Sequence, residues 1–168
     1  MINLIIGNNA IGKTAYLNIL IKKYGIDNIT TNLRSDTYFQ YIKYNEERVQ
    51  ILQTLLSANK IEHNLTYLDI KNPDRVLTLN FLKLVTTICR DRDILILDDP
   101  EKDLTYMEKN FLLTFLDNIS TTFSEMFIST HYECMLSLDN MSTYTVLKEG
   151  ETFTLKNVAK EDMYAVID

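Results

Sequence analysis

Glycine, proline and cysteine are scarce in this chain, and the scarcity of each argues against a particular kind of structure. Four glycines and two prolines among 168 residues argue against long flexible linkers. The two cysteines, Cys89 and Cys134, have apolar neighbours and form no C-x-x-C pair, which indicates reduced thiols in the core. The sequence also lacks a charged leader before an apolar run and lacks the ~20-residue apolar run of a membrane helix. We therefore expect a cytoplasmic protein.

The charge balance is acidic. The chain carries 23 acidic and 17 basic residues, a net charge of -6, which disfavours a free-standing nucleic-acid binder because such proteins usually present a basic surface. The hydrophobic content of 46% is typical of a soluble globular protein. The length fits one ordinary domain. We expect a single domain over residues 1–168, in which 34–75 is a candidate helical insertion.

Short apolar runs alternate with segments whose apolar residues recur at helical spacing. The predicted strands cover 2–6, 29–33, 94–97 and 126–128, and the predicted helices cover 13–23, 76–89, 104–119 and 131–138. Two further strands at 143–147 and 152–155 flank a Lys-Glu-Gly-Glu turn and predict a hairpin. This alternation predicts an α/β fold with a mainly parallel central sheet flanked by helices and a C-terminal β-hairpin.

Helical spacing also predicts which side chains face the core. In the first helix these are Leu17, Ile19, Leu20 and Ile21, with Gly25 ending the helix. A second stripe predicts a long helix and runs through Leu104, Met107, Phe111, Leu112, Phe115, Leu116 and Ile119.

A phosphate-binding motif follows the first predicted strand. Gly7-Asn8-Asn9-Ala10-Ile11-Gly12-Lys13-Thr14 matches G-x-x-x-x-G-K-[ST] and leads into a predicted helix, as the motif requires. The glycines let the backbone approach phosphates, and the amides at the helix start point toward them. Lys13 is expected to reach the β- and γ-phosphates of a nucleoside triphosphate, ATP by default, and Thr14 to bind Mg²⁺. The alternative is a glycine turn that caps a helix beside an exposed lysine.

Two carboxylates, Asp98 and Asp99, end the predicted strand at 94–97. Ligands of parallel sheets bind beyond such strand ends, so Asp98 is expected to face the phosphate loop and complete the Mg²⁺ shell. Asp99 is then placed to orient or deprotonate an attacking water. The alternative is that both aspartates cap a turn before Pro100.

A histidine, His131, follows the strand predicted at 126–128. Its imidazole could contact a γ-phosphate, which would give it a catalytic role beside Asp99 and Lys13. The alternative is that the Ser-Thr pair before it caps a helix.

Together these motifs resemble those of the ATP-binding-cassette ATPase superfamily. The resemblance implies that the phosphate loop is Walker A and that Asp98 is the Walker B magnesium ligand. It also implies that Asp99 stands where the family usually has a catalytic glutamate and that His131 is the switch histidine. The run from Asp98 to Leu104 is similar to the D-E-P-E-x-x-L run of the RecF and overcoming-lysogeny branches, with Asp99 as the departure.

The sequence also departs from the family pattern elsewhere. Residues 76–80 stand where the L-S-G-G-Q signature usually lies but contain no glycine, which puts the family's composite dimer site in doubt. The chain begins inside the first strand, so the family's usual adenine-stacking aromatic has no counterpart before the loop. Gln40 is only a weak counterpart of the family's linker glutamine. Because Asp99 is shorter than glutamate, slow hydrolysis is expected.

The function that the resemblance favours is a Mg²⁺-dependent ATPase acting with a partner protein or as an ATP-dependent homodimer. Three alternatives stay open: a P-loop kinase for a small acceptor, a non-hydrolysing switch whose ATP binding drives assembly, and the ATP-binding subunit of a transporter. Phosphate release without an acceptor would indicate an ATPase, acceptor-dependent formation of ADP would indicate a kinase, and neither would indicate the switch.

Overall fold

The computed structural model of the chain describes residues 1–34, 54, 57, 79–88 and 92–167. The strands and α-helices bounded there are β1 (Ile2–Ile6), α1 (Lys13–Tyr24), β2 (Ile29–Thr31), α2 (Leu79–Ile88), β3 (Ile94–Asp98), α3 (Tyr106–Ile119), β4 (Glu125–Thr130), β5 (Met141–Glu149), β6 (Thr152–Asn157) and α4 (Met163–Ile167). Gln40 and almost all of the candidate insertion at 34–75 lie outside the described residues. None of the described helices is long and apolar enough to cross a membrane.

The strands form one six-stranded sheet in the order β2-β3-β4-β1-β5-β6. Neighbouring strands are parallel except β5 and β6, which form an antiparallel hairpin. The predicted α/β fold, the mainly parallel sheet and the C-terminal hairpin are therefore confirmed. The carboxyl ends of β1, β3 and β4 meet at one edge of the sheet, which is where parallel sheets bind ligands.

Both faces of β1 and β3 are buried, which explains their nearly continuous apolar runs. Successive strand residues point to opposite faces. In β3, Ile94 and Ile96 pack in the cluster that contains Leu17 of α1, whereas Leu95 and Leu97 pack on the other face in the cluster formed with α2, α3 and α4. Asp98 continues the spacing of Ile94 and Ile96, so its side chain lies on the α1 face.

Two side chains that were assigned to the core are exposed. Ile19 is 43% exposed and Met107 is 48% exposed, so these two assignments were wrong. The buried face of α1 contains Leu17, Leu20 and Ile21, and Ile19 lies two residues from Leu17, about 200° around the helix axis. Met107 similarly lies off the buried stripe of α3, which begins at Glu108.

Several element ends also differ from the sequence prediction. The helix predicted over 131–138 is a 3₁₀ helix over Glu133–Ser137, and β2 stops at Thr31 because a 3₁₀ turn over Asn32–Arg34 follows it. The helix predicted from residue 104 begins at Tyr106. Thr105 is its N-cap and forms a capping box with Glu108, in which each residue accepts a hydrogen bond from the other's backbone amide.

Candidate functional site

The loop between β1 and α1 requires glycine at two positions. Gly7 and Gly12 have φ values of 133° and 95°, which L side chains rarely adopt. A Cβ added at Gly7 would lie 2.2 Å from Cδ1 of Ile11, and one at Gly12 would lie 2.6 Å from Cε1 of Phe153. The loop thus joins strand and helix as the phosphate-binding motif demands. The amides of the first turn of α1 have no acceptor within their own helix, an arrangement that suits an anion.

Lys13 folds back across this loop. Its Nζ donates hydrogen bonds to the carbonyl oxygens of Gly7 and Asn8, the latter at 2.9 Å, and the residue is only 5% exposed. Burial lowers the pKa of Lys13 from its ordinary value of 10.5, and nearby carboxylates, Asp99 foremost, oppose that effect. The lysine is therefore held at the centre of the loop and not free in solvent as the glycine-turn alternative required.

Thr14 and Asp98 meet directly. The Thr14 hydroxyl, in the first turn of α1, donates to Asp98 Oδ2 at 2.8 Å. These two residues are 84 positions apart in the chain, and the parallel sheet brings them together because Asp98 ends β3 on the α1 face. A hydroxyl and a carboxylate are hard oxygen donors of the kind that Mg²⁺ prefers, so this pair fits the ion that the sequence assigned to it.

Two residues to which the sequence patterns assign no role hold Asp98 in place. The Asn32 side chain bonds both backbone groups of Asp98: Nδ2 donates to its carbonyl at 2.8 Å, and Oδ1 accepts from its amide at 2.9 Å. Ser129, the register partner of Asp98 on β4, donates its hydroxyl to Asp98 Oδ1. Both carboxylate oxygens of Asp98 are therefore oriented by hydroxyl donors.

Asp99 and His131 form a second pair at the same sheet edge. His131 Nδ1 lies 3.1 Å from Asp99 Oδ1, and both side chains are about a quarter exposed, at 24% and 22%. Asp99 has a φ of 40° and its amide donates to Ser129, which turns the chain out of β3. The aspartate thus orients the imidazole, and the second ring nitrogen, Nε2, has no hydrogen-bond partner among the described residues.

Glu101 is a third carboxylate at this edge, and its sequence position predicted no role for it. The residue is fully buried, and its Oε1 accepts a hydrogen bond from the hydroxyl of Thr130, the residue before His131. Its Oε2 has no hydrogen-bond partner among the described residues. Burial raises the pKa of Glu101 from 4.5 to about 7, and the bond from Thr130 opposes this.

One ligand-type atom from each of Asp99, Glu101 and His131 lies within 4.8 Å of the others. The structure therefore gathers the sequence-predicted residues Lys13, Thr14, Asp98, Asp99 and His131 and adds Asn32, Glu101 and Ser129 to them. Glu101 lies in the acidic run from Asp98 to Leu104, and Ser129 lies two residues before His131; these positions are the sequence signal for them. Asn32 had no sequence signal.

The remaining positions of the loop are more open. Asn8, Asn9 and Ala10 are exposed, and Ile11 is half-buried. The amide of Ala10 donates to Asn8 Oδ1 at 3.4 Å, which tightens the turn locally. Most of the region that replaces the family signature lies outside the described residues; of it, Leu79 and Asn80 begin α2.

Comparison with known proteins finds similarity in structure alone. No protein-family model matches the sequence, and no curated protein sequence matches it. An RNase-L inhibitor structure aligns over 97% of this chain and 35% of its own, with a TM-score of 0.62 and 16% identity. The archaeal ribosome recycling factor aABCE1, solved with the stalk protein aP1, aligns over 92% of this chain and 33% of its own, with a TM-score of 0.60 and 16% identity.

A third similar structure is described as the cobalt transport ATP-binding protein cbiO-2. It aligns over 86% of this chain and 64% of its own, with a TM-score of 0.57 and 18% identity. The chain thus spans about a third of the first two relatives and less than two thirds of this one. All three have ATP-binding-cassette domains, which confirms the resemblance at the level of the fold. The chain has the fold of the ATP-binding-cassette ATPases, a P-loop nucleoside triphosphatase fold.

Proposed function

We propose that the protein binds Mg²⁺-ATP and hydrolyses it slowly, and that a partner protein responds to whether ATP is bound. The observation that carries this proposal is the 2.8 Å contact between Thr14 and Asp98, because it unites the phosphate loop with the acidic strand end. The phosphate loop and the acidic strand end lie far apart in the chain, and a helix cap and a turn cap would not need to be in contact with each other. The ABC-type fold supports the same reading.

The phosphates would be held by Lys13 and by the first amides of α1. The Lys13 ammonium is already desolvated and bonded to two loop carbonyls, so little reorganisation of the loop is needed to present it to an anion. Thr14 and Asp98 would hold the magnesium ion, which would neutralise charge on the phosphate oxygens. Asn32 and Ser129 keep the Asp98 carboxylate oriented for that task.

Asp99 and His131 are the groups proposed to act on the attacking water. Asp99 lies beside the imidazole, so its carboxylate can accept a hydrogen bond from water or keep the ring in one orientation while Nε2 makes the contact. Either arrangement gives proton transfer a positioned acceptor. The shorter aspartate side chain places this acceptor one methylene farther back than glutamate would, and slow turnover is the expected consequence.

The proposed partner is a second copy of the chain or an effector protein, and the proposed location is the cytoplasm. Among the similar structures, aABCE1 was solved in a complex with a ribosomal protein, and this precedent supports a partner-dependent ATPase. Light scattering on a sizing column, with and without Mg²⁺-ATP, tests the homodimer directly. A mass that doubles with ATP supports it, and an unchanged mass favours the separate effector.

Phosphate release from ATP tests the enzymatic part of the proposal. Release without any added acceptor, dependent on Mg²⁺, is the expected result. Formation of ADP only when a small acceptor is added would identify a kinase instead. Tight ATP binding with no release under either condition would identify a nucleotide-driven assembly switch. The matched control is Asn110→Ala, which removes an exposed polar side chain from α3 and should leave phosphate release unchanged.

A further inference from the structure

The two halves of the sheet lie on opposite sides of the phosphate loop. The strand order is β2-β3-β4-β1-β5-β6, and the phosphate loop follows β1. On one side of β1 lie β3 and β4, whose carboxyl ends lead into Asp98, Asp99 and His131. On the other side lies the hairpin of β5 and β6. If the terminal phosphate faces Asp98 and His131, as the proposed function requires, the opposite end of the nucleotide is directed toward the hairpin.

An aromatic ring lies beside the loop on that side. Phe153 of β6 is half-buried and packs so closely on Gly12 that a Cβ at Gly12 would lie 2.6 Å from its Cε1 and 3.1 Å from its Cδ1. The ring belongs to the cluster on the α1 face, with Val146 and Leu155 behind it. Phe153 therefore sits at the border between this cluster and solvent, next to the first turn of α1.

A lysine completes the surface around this ring. Lys148 is the direct register partner of Phe153 across the hairpin, and its Nζ lies over the ring, 5.6 Å from the ring centroid. Lys148 is exposed, so a ligand that stacks on the ring can displace the ammonium toward the ligand's edge. Two phenols, Tyr16 and Tyr144, are half-buried on the same side of the sheet. The aromatic side chains and the cation together form a surface suited to a flat, electron-rich ring system.

We propose that Phe153 is the platform on which the aromatic base of the bound nucleotide stacks, with Lys148 at the edge of the base. This inference rests on the proposed function and assigns the base subsite of that same nucleotide site to the C-terminal hairpin. Stacking uses the π face of the base, so the ring contributes affinity for the nucleoside part of the ligand and none for its phosphates.

The experiment compares two ligands on three proteins. ATP and inorganic tripolyphosphate, each with Mg²⁺, are titrated by calorimetry into the unmodified protein, Phe153→Leu and Phe153→Trp. Leucine keeps apolar bulk against Gly12 but removes the aromatic face, whereas tryptophan restores it. Tyr164→Leu is the matched control, because Tyr164 is a 58% exposed aromatic residue on α4, which packs on the opposite face of the sheet.

Phe153→Leu is expected to weaken ATP binding by at least about 5-fold while leaving tripolyphosphate affinity unchanged, and Phe153→Trp is expected to restore ATP affinity. Equal weakening of both ligands would show that the ring only supports the loop, which overturns the platform. Unchanged ATP affinity in Phe153→Leu would overturn it as well. Failure of the unmodified protein to bind either ligand would instead overturn the proposed function, and the platform with it.

Discussion

The buried carboxyl group of Glu101 gives the protein a stability that depends on pH, and replacing it with glutamine should remove that dependence. Glu101 is fully buried, its Oε2 has no hydrogen-bond partner among the described residues, and its pKa is raised from 4.5 to about 7 by burial. A folded-state pKa above the unfolded value means that the folded protein holds this proton more tightly. The associated stability is fully present below pH 4.5 and is lost as the pH rises through about 7.

The magnitude follows from the size of the pKa change. At ~1.4 kcal/mol per pKa unit, ionisation of Glu101 lowers the free energy of unfolding by about 3 kcal/mol in total, of which about 2–3 kcal/mol falls between pH 5 and pH 8. Glu101→Gln keeps a carbonyl acceptor for the Thr130 hydroxyl and cannot ionise. The variant should therefore gain about that much stability relative to the unmodified protein when the pH is raised from 5 to 8.

Urea unfolding of both proteins at pH 5 and pH 8, without nucleotide, measures this difference. Other titrating groups are common to the two proteins and cancel in the comparison. Glu151→Gln, at an exposed position in the turn of the hairpin, is the control, and its stability should change with pH by as much as that of the unmodified protein. A difference between Glu101→Gln and the unmodified protein that is the same at both pH values would refute the reasoning, because it would mean that Glu101 does not titrate in this range.

Three further predictions concern the site and its supports. Asp99→Asn should leave ATP affinity intact and slow phosphate release by at least about 10²-fold; undiminished release would remove Asp99 from the catalytic groups. In thermal melts, Gly12→Ala should lower the melting temperature by more than Gly150→Ala does. Both glycines have positive φ, but only Gly12 has an aromatic ring, that of Phe153, packed against it. Equal decreases in melting temperature would argue against that contact. Thr105→Ala should cost about 1 kcal/mol in urea unfolding by removing the α3 cap, and an unchanged stability would show that the capping box contributes nothing.

The fold could be predicted from the sequence where burial leaves a continuous apolar run. The strands β1 and β3 are buried on both faces, so their residues are apolar at nearly every position, and the phosphate motif fixes the turn between β1 and α1. The core faces of helices were less predictable. Ile19 and Met107 are apolar but exposed, because an apolar residue on a helix surface costs little and leaves no sequence signal.

The site was predictable only for residues that belong to motifs. Lys13, Thr14 and Asp98 were identified by spacing, and the sheet then brought them together. Asn32 could not be identified, because its role depends on bonding the backbone of Asp98 from the 3₁₀ turn that follows β2, 66 positions away in the chain. Glu101 was visible within the acidic run, but its burial depends on how the chain turns after Asp99 and packs against Thr130.

The central claim is that the loop from Gly7 to Thr14 binds the phosphates of ATP, and equilibrium binding to a lysine variant tests it most directly. Calorimetric titration of Mg²⁺-ATP into the unmodified protein and into Lys13→Ala, with circular dichroism to verify that the variant is folded, is the measurement. We predict saturable binding at one site in the unmodified protein and its loss or severe weakening in Lys13→Ala. Equal affinity in the two folded proteins would contradict it.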